Sequence, residues 1–281
     1  MKRRNLEERF FKMLMLLTTL IVVGSFFLIV AVIVIRGLPY LNLDMITKVP
    51  DGGFYIGKEG GVLNAIIGSL YVAGGATLIS LIISIPVALY INFYLKANTI
   101  FTSAARMSFD VLFGIPSIVY GAFGFIIMMY FGLRASLLGG IIAVTLLVIP
   151  IMVRTLDEVI RTVPAELREA SFSLGATRWE AAKVVLRQVR PGIFTAILLA
   201  FGRGVGDVAA VMFTAGFSDN IPTSLHEPAA TLPLAIFFQL SSPTPEVQGR
   251  AYASALILTI LVLAITVLSE KLIKNYSKNK I

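Results

Sequence analysis

The sequence predicts an all-α, polytopic membrane fold with six transmembrane helices and both termini on the cytoplasmic side. Three observations predict it. Of 281 residues, 57% are hydrophobic and only 14% charged, against about 25% charged in a soluble domain; the mean hydropathy is +0.87. Apolar runs of the length a membrane helix needs, roughly 20 residues, recur along the chain. Finally, Lys and Arg concentrate in alternate connecting segments.

The runs predict spans at about 13–35, 62–94, 109–131, 135–155, 192–217 and 251–271 of a single membrane domain, with a cytoplasmic loop at about 156–190. The second begins with interfacial or re-entrant turns. The fifth is apolar except for Arg203 and Asp207. Pro86, Pro116 and Pro150 fall within or beside spans, where neighbouring helices make such breaks tolerable. Lys2, Arg3 and Arg4 before the first run imitate a secretory leader. The apolar stretch exceeds the 7–15 residues of a typical leader core and no small-x-small site closes it, so it reads as an uncleaved helix.

Basic residues fix the orientation. With the N-terminus inside, the cytoplasmic segments hold Arg9, Lys12, Lys96, Arg106, Arg154, Arg161, Arg168, Arg178, Lys183, Arg187 and Arg190, besides the basic residues near both ends. The outer segments hold only Arg36, Lys48, Lys58, Arg134 and Arg250. The net charge of +8 is therefore a topology signal and no nucleic-acid partner is expected. Without cysteine, disulfides and thiolate sites are excluded; with His226 as the one histidine, so is a His-cluster metal site. His226 itself reads as a surface residue of an outer loop rather than a proton relay. The stretch from Gly52 to Lys58 nearly spells a phosphate-binding loop, but Glu59 stands where Ser or Thr should hold Mg²⁺. It also lies on the outer side, so ATP hydrolysis has to come from another chain. No paired catalytic carboxylates, metal ligands or nucleophile–base set is visible, and the chain reads as a non-enzyme without a cofactor of its own.

The cytoplasmic loop carries the strongest signal. Pro164 can open a helix; Leu167, Ala170, Ser171 and Leu174 share one helical face; Gly175 can take the left-handed conformation that ends a helix. A second amphipathic stretch follows at 179–189. This helix–Gly turn–helix presents a compact knob to a partner. Glu169, Ala170, Ser171 and Gly175 resemble the EAA-x-x-x-G coupling motif of bacterial ABC-importer permeases. Ser171 replaces the second alanine, and the usual closing Leu-Pro is missing, with Arg190-Pro191 further on.

Further segments resemble one branch of that family, the phosphate permeases of the PstA type. Asp110, Val111, Leu112, Gly114, Pro116, Ser117, Ile118, Val119, Tyr120 and Gly121 resemble their D-V-L-x-G-x-P-S-I-V-Y-G segment. Gly202, Arg203, Gly206 and Asp207 resemble G-R-x-x-G-E, and the stretch from Gly61 to Leu70 resembles the opening of their second span. The resemblance implies a type I ABC-importer permease architecture and inorganic phosphate as the cargo. Glu169, Ala170, Gly175 and Trp179 would dock on the ATPase. The implied partners are a homologous PstC-type permease, two ATPases that use ATP and Mg²⁺, and an extracytoplasmic phosphate-binding protein. The setting is a bacterial or archaeal cytoplasmic membrane. The family's functional charges fall on Arg154, Asp157 and Arg203; Asp157 and Asp207 stand where Glu is common.

Arg203 and Asp207, four apart on one helix face, can pair. Each charge at the bilayer centre costs about 2.5–3.5 kcal/mol, so the pair marks either the substrate pathway or a salt bridge locking the fifth span. An arginine fork suits a tetrahedral oxyanion. Arg154 and Asp157, three apart, serve either as membrane-edge anchors or at the cytoplasmic exit; Arg106 and Asp110 read as a structural pair. Gly202 and Gly206 form a GxxxG that permits close helix approach. Two rival functions remain: an ABC permease for another solute such as molybdate or sulfate, and an ion-coupled secondary transporter, against which the lack of an inverted repeat counts.

Overall fold

The computed structural model describes residues 2–51, 59–96 and 99–278, with side chains for 7–51, 59–96 and 99–271. The loop resembling a phosphate-binding loop, at 52–58, lies outside them, as do the side chains of the terminal basic residues. Every regular element among the described residues is helical.

The long helices are α1 (Lys2–Gly37), α3 (Leu63–Leu89), α6 (Leu137–Arg161) and α12 (Pro245–Lys278). Each is long and apolar enough to cross a membrane. Two bent pairs bring the possible spans to six: α4 (Ile100–Phe113) with α5 (Ser117–Tyr130), and α8 (Arg178–Gln188) with α9 (Arg190–Val205). Short helices complete the chain: α2 (Leu43–Thr47), α7 (Ala165–Ser173), α10 (Ala209–Met212) and α11 (Leu232–Leu240).

The centre is a three-helix packing of α3, α6 and α9. Ala73 and Ala76 of α3 and Ala196 and Ala200 of α9 are fully buried, beside Val144, Val148 and Met152 of α6. Small residues on two helices let the branched residues of the third close the space, which is how helices associate where lipid supplies no hydrophobic drive. Gly204 sits at this junction: a Cβ there would come within 3.0 Å of Val144 Cγ1 and 3.8 Å of Ala73. A second cluster, at the start of α3, joins Met45, Val62, Ala65, Leu232 and Ala253, tied by the Leu232 amide donating to buried Ser69 Oγ at 2.7 Å. The apolar window of α1 buries nothing within the chain, leaving that helix to lipid or another subunit.

Five expectations are corrected. The third span is not one helix over 109–131: it starts at Ile100, and α4 and α5 meet at 96° across Gly114, Ile115 and Pro116. Proline disfavours a helical conformation in the residue before it, and Ile115 holds that place. The fifth span does not continue to 217, because α9 ends at Val205 and only the four-residue α10 follows. The outer segment before Arg250 contains the apolar helix α11, and α12 starts earlier than 251, at Pro245, a residue suited to a first turn. The helix of the fourth span runs past 155 to Arg161, which shortens the loop before α7. The GxxxG pair makes no close helix contact here: a Cβ on Gly202 meets nothing within 4 Å and one on Gly206 meets only Gly202 O. Gly204, between them, is the packing glycine.

Candidate functional site

The knob is built as its sequence requires. Helix α7 starts after Pro164 and buries no residue, so the face shared by Leu167, Ala170, Ser171 and Leu174 is turned outward rather than into the chain. Gly175 closes the helix at φ +82°, and its amide and that of Ala176 donate to Phe172 O and Ser171 O at 2.9 and 3.1 Å. A capping box opens α8: the Thr177 amide donates to Glu180 Oε2 at 2.8 Å and the Glu180 amide to Thr177 Oγ1 at 3.3 Å. The Thr177 amide, then its hydroxyl, hold the Glu180 carboxyl below the usual range. Ala181, Ala182 and Val185 anchor α8 to the bundle. Leu174 is 89% exposed, with Trp179 and Phe172 also on the surface. Exposed apolar residues clustered on a polar loop mark an interaction surface.

Two arginines fasten the knob to the end of α3. There the chain makes a π-helical turn at Tyr90–Tyr94, whose last carbonyls have no partner in the helix. Arg168 Nη1 donates to Asn92 O at 3.2 Å and lies 4.8 Å from the Phe93 ring centre. Arg178 Nη1 donates to Tyr94 O at 3.4 Å and stands over the Tyr94 ring. The knob thus grips α3 by side chains, α6 through the turn at 162–164, and α9 through the 72° bend after α8.

Above the knob, five charges form a lattice between α4 and α6. Arg106 donates from Nε and Nη2 to the two oxygens of Asp157 at 2.9 and 3.1 Å. Asn92 Nδ2 donates to Asp157 Oδ1 at 2.7 Å, giving this buried carboxylate three donors. Arg154 pairs with Asp110 and, at 3.2 Å, with Glu158. The expected Arg106–Asp110 pair is therefore replaced by pairing between helices, while Arg154 also keeps a partner on its own helix, Glu158. The crossed order, Arg106 with Asp157 and Asp110 with Arg154, is what antiparallel helices require.

Arg203 and Asp207 do pair, Nη1 to Oδ2 at 2.5 Å, but not along one helix. Asp207 lies past the end of α9, and its Oδ1 accepts from the Ala210 amide at 2.7 Å. It thereby caps the start of α10 while holding the guanidinium. Asp207 is buried; the Arg203 side chain is 40% exposed, on the open side of α9 with Gly202 and Gly206. Arg203 is thirteen residues beyond Arg190, about 20 Å along α9 at 1.5 Å per residue. The four expected pathway residues therefore form two stations, Arg154 and Asp157 at the inner end and Arg203 with Asp207 deeper in. His226 is exposed on the outer loop, and no group of metal-ligating residues occurs among the described residues.

Sequence reasoning missed Asn92, Glu158 and the anchoring arginines Arg168 and Arg178. The lattice had a signal: a basic–acidic spacing of four in α4 facing one of three and four in α6. Asn92 had none, since its partner is 65 residues away.

Residues 84–278 match the family model described as binding-protein-dependent transport system inner membrane component. The chain is 32% identical over 239 residues to the phosphate transport system permease protein PstA of Haemophilus influenzae, covering 85% of this chain and 83% of that protein. It is 36% identical over 239 residues to the PstA of Xylella fastidiosa, covering 83% and 81%. Among solved structures, an inward-facing conformation of the MetNI methionine ABC transporter matches with a TM-score of 0.60 at 16% identity, over 76% of this chain and 95% of that one. The last likeness concerns the fold.

Proposed function

This chain belongs to the family of binding-protein-dependent transport system inner membrane components, and from that premise we propose that it is the PstA-type permease subunit of an ATP-driven importer of inorganic phosphate. The observation that carries the reading is the outward-facing knob of Glu169, Ala170, Gly175 and Trp179, anchored to three membrane helices at once. The identity to phosphate permeases over most of the chain supports the cargo.

The partners in this reading are two ATPases, a second permease of the PstC type and an extracytoplasmic phosphate-binding protein, assembled in a bacterial or archaeal cytoplasmic membrane. ATP is bound and hydrolysed by the partners. When they close, the knob moves as a unit and pulls α6 and α9 through the backbone and α3 through Arg168 and Arg178. The α4–α6 lattice carries the same motion to α4, so the inner ends of these helices shift together. Arg203 presents an exposed fork to the pathway. A guanidinium has five N–H donors, and Asp207 fixes its orientation through one side. A phosphate can therefore be held by the remaining donors, weakly enough to leave, as transport demands.

The test is uptake of radiolabelled phosphate by the reconstituted complex with its binding protein and ATP. ATP-dependent uptake that unlabelled phosphate suppresses, and sulfate or molybdate do not, is expected. Uptake suppressed by sulfate or molybdate would assign another oxyanion; uptake driven by an ion gradient without ATP would refute the importer reading.

A further inference from the structure

A group of basic residues lies beside the inner station, at the base of the knob. Between the end of α3, the start of α4 and the base of α7 opens a cleft of about 590 Å³. Arg106 of α4, Arg161 in the last turn of α6 and Arg168 of α7 line it from three elements, with Glu169 as the carboxylate on its wall. Arg106 is neutralised by Asp157. Arg161 has neither an ion-pair nor a hydrogen-bond partner among the described residues. Arg168 donates to Asn92 O, yet its Nε is buried without an acceptor. Glu169, although in the same cleft, pairs with none of the three. With Arg106 neutralised, Arg161 and Arg168 outweigh the one carboxylate of the cleft, Glu169, and one buried donor of Arg168 has no acceptor, a condition that proteins avoid unless something else supplies one.

From this arrangement we propose that the cleft is a cytoplasmic binding site for a phosphate group, held between Arg161 and Arg168. Guanidinium forks match a tetrahedral oxyanion in shape as well as charge, and a divalent cation would meet the like charges of Arg161 and Arg168. The cleft takes either free inorganic phosphate with its water or the phosphate of an anionic lipid headgroup at the membrane edge. Both present the same oxygens. Arg161 ends α6 and Arg168 belongs to α7, so an oxyanion chelated by both fixes the angle at the 162–164 turn, the joint on which the knob moves. Occupancy therefore slows the transport cycle. Where the occupant is free phosphate, the imported product restrains its own entry, a consequence that rests on the importer reading; the binding itself does not.

The experiment is equilibrium binding of radiolabelled inorganic phosphate to the assembled complex in phosphatidylcholine nanodiscs, without ATP or binding protein. The Arg203→Gln background removes the pathway's share. The remaining saturable binding should weaken about tenfold or more in Arg161→Gln, the loss of one charge-assisted contact, and recover in part with Arg161→Lys. A second arm counts phosphatidylglycerol retained by the complex in mixed phosphatidylcholine–phosphatidylglycerol discs, by native mass spectrometry, with and without Arg161→Gln. Arg161-dependent phosphate binding assigns the free ion; Arg161-dependent retention of phosphatidylglycerol without phosphate binding assigns the lipid headgroup. Equal phosphate binding and equal lipid retention by the parent and Arg161→Gln overturn the proposal. Because Arg161 is exposed and unpaired, the variant keeps its fold, which co-purification with the partners verifies. A parent complex that binds phosphate in the cleft but imports none would sink the proposed function and leave the site standing.

Discussion

Replacing Gly175 separates two ways in which the knob's turn could matter, its conformation and its size. The residue sits at φ +82°, and a Cβ there meets nothing within 4 Å, so within this chain the cost of a side chain is conformational. A left-handed L-residue costs about 1–2 kcal/mol, with Asn at the low end because it visits that region readily and a β-branched residue above it. A penalty near 2 kcal/mol lowers the population of the closed turn about thirtyfold, and one near 1 kcal/mol about fivefold. Gly175→Val should therefore misalign α7 against α8 and raise the ATP hydrolysed per phosphate imported, while Gly175→Asn, of comparable bulk, stays close to the parent. The assay is parallel measurement of ATPase rate and uptake in proteoliposomes, normalised to assembled complex. Equal damage by Asn and Val would show that volume at the ATPase interface governs coupling. A parental ratio in Gly175→Val would refute the argument that this turn transmits the stroke.

Three further outcomes are expected. Arg203→Gln should abolish uptake with the complex still assembled, since Asp207 keeps its bond to the Ala210 amide; normal uptake would reduce the pair to scaffolding. Arg106→Gln removes two hydrogen bonds from buried Asp157 and should lower the stability of the α4–α6 contact by about 2 kcal/mol. That is less than for a fully buried pair because the Arg106 side chain is 32% exposed. Thermal unfolding of the complex measures it, and an unchanged midpoint contradicts it. For Glu180, the depressed carboxyl pKa means that the capping box contributes fully above the unbound value of 4.5 and is lost as pH falls through the lower folded value. Amide protection in the first turn of α8, taken relative to the intrinsic exchange rate at each pH, should fall in that acidic window and lose this dependence in Glu180→Gln; identical pH profiles would argue against the box.

The membrane class, the recurrence of long apolar helices and the helix–turn–helix of the knob were legible because each depends on local information: run length, and a Pro–helix–Gly pattern whose conformations are intrinsic to those residues. Breaks within apolar runs were less legible. Hydropathy continues across Gly114 to Pro116 and past Val205, so a window cannot see that α4 turns 96° into α5 or that Asp207 caps a new segment instead of extending the old one. Charge partners were the least legible. Spacing of three or four identifies which residues share a helix face but not what faces them, and Arg106 prefers the buried Asp157 of another helix to the Asp110 of its own. Gly202 and Gly206 show the same limit: small residues permit close approach, and the close approach falls on Gly204.

Coupling to an ATPase requires the knob to stand on the cytoplasmic side of the membrane. The chain has no cysteine, so Leu174→Cys, at a position 89% exposed, provides a single thiol at its tip. Probed with a membrane-impermeant maleimide, it should react in inverted vesicles stripped of ATPase, lose reactivity when the ATPase is restored, and stay silent in right-side-out vesicles. Labelling from the outer side alone would contradict the topology, and with it the coupling and the importer.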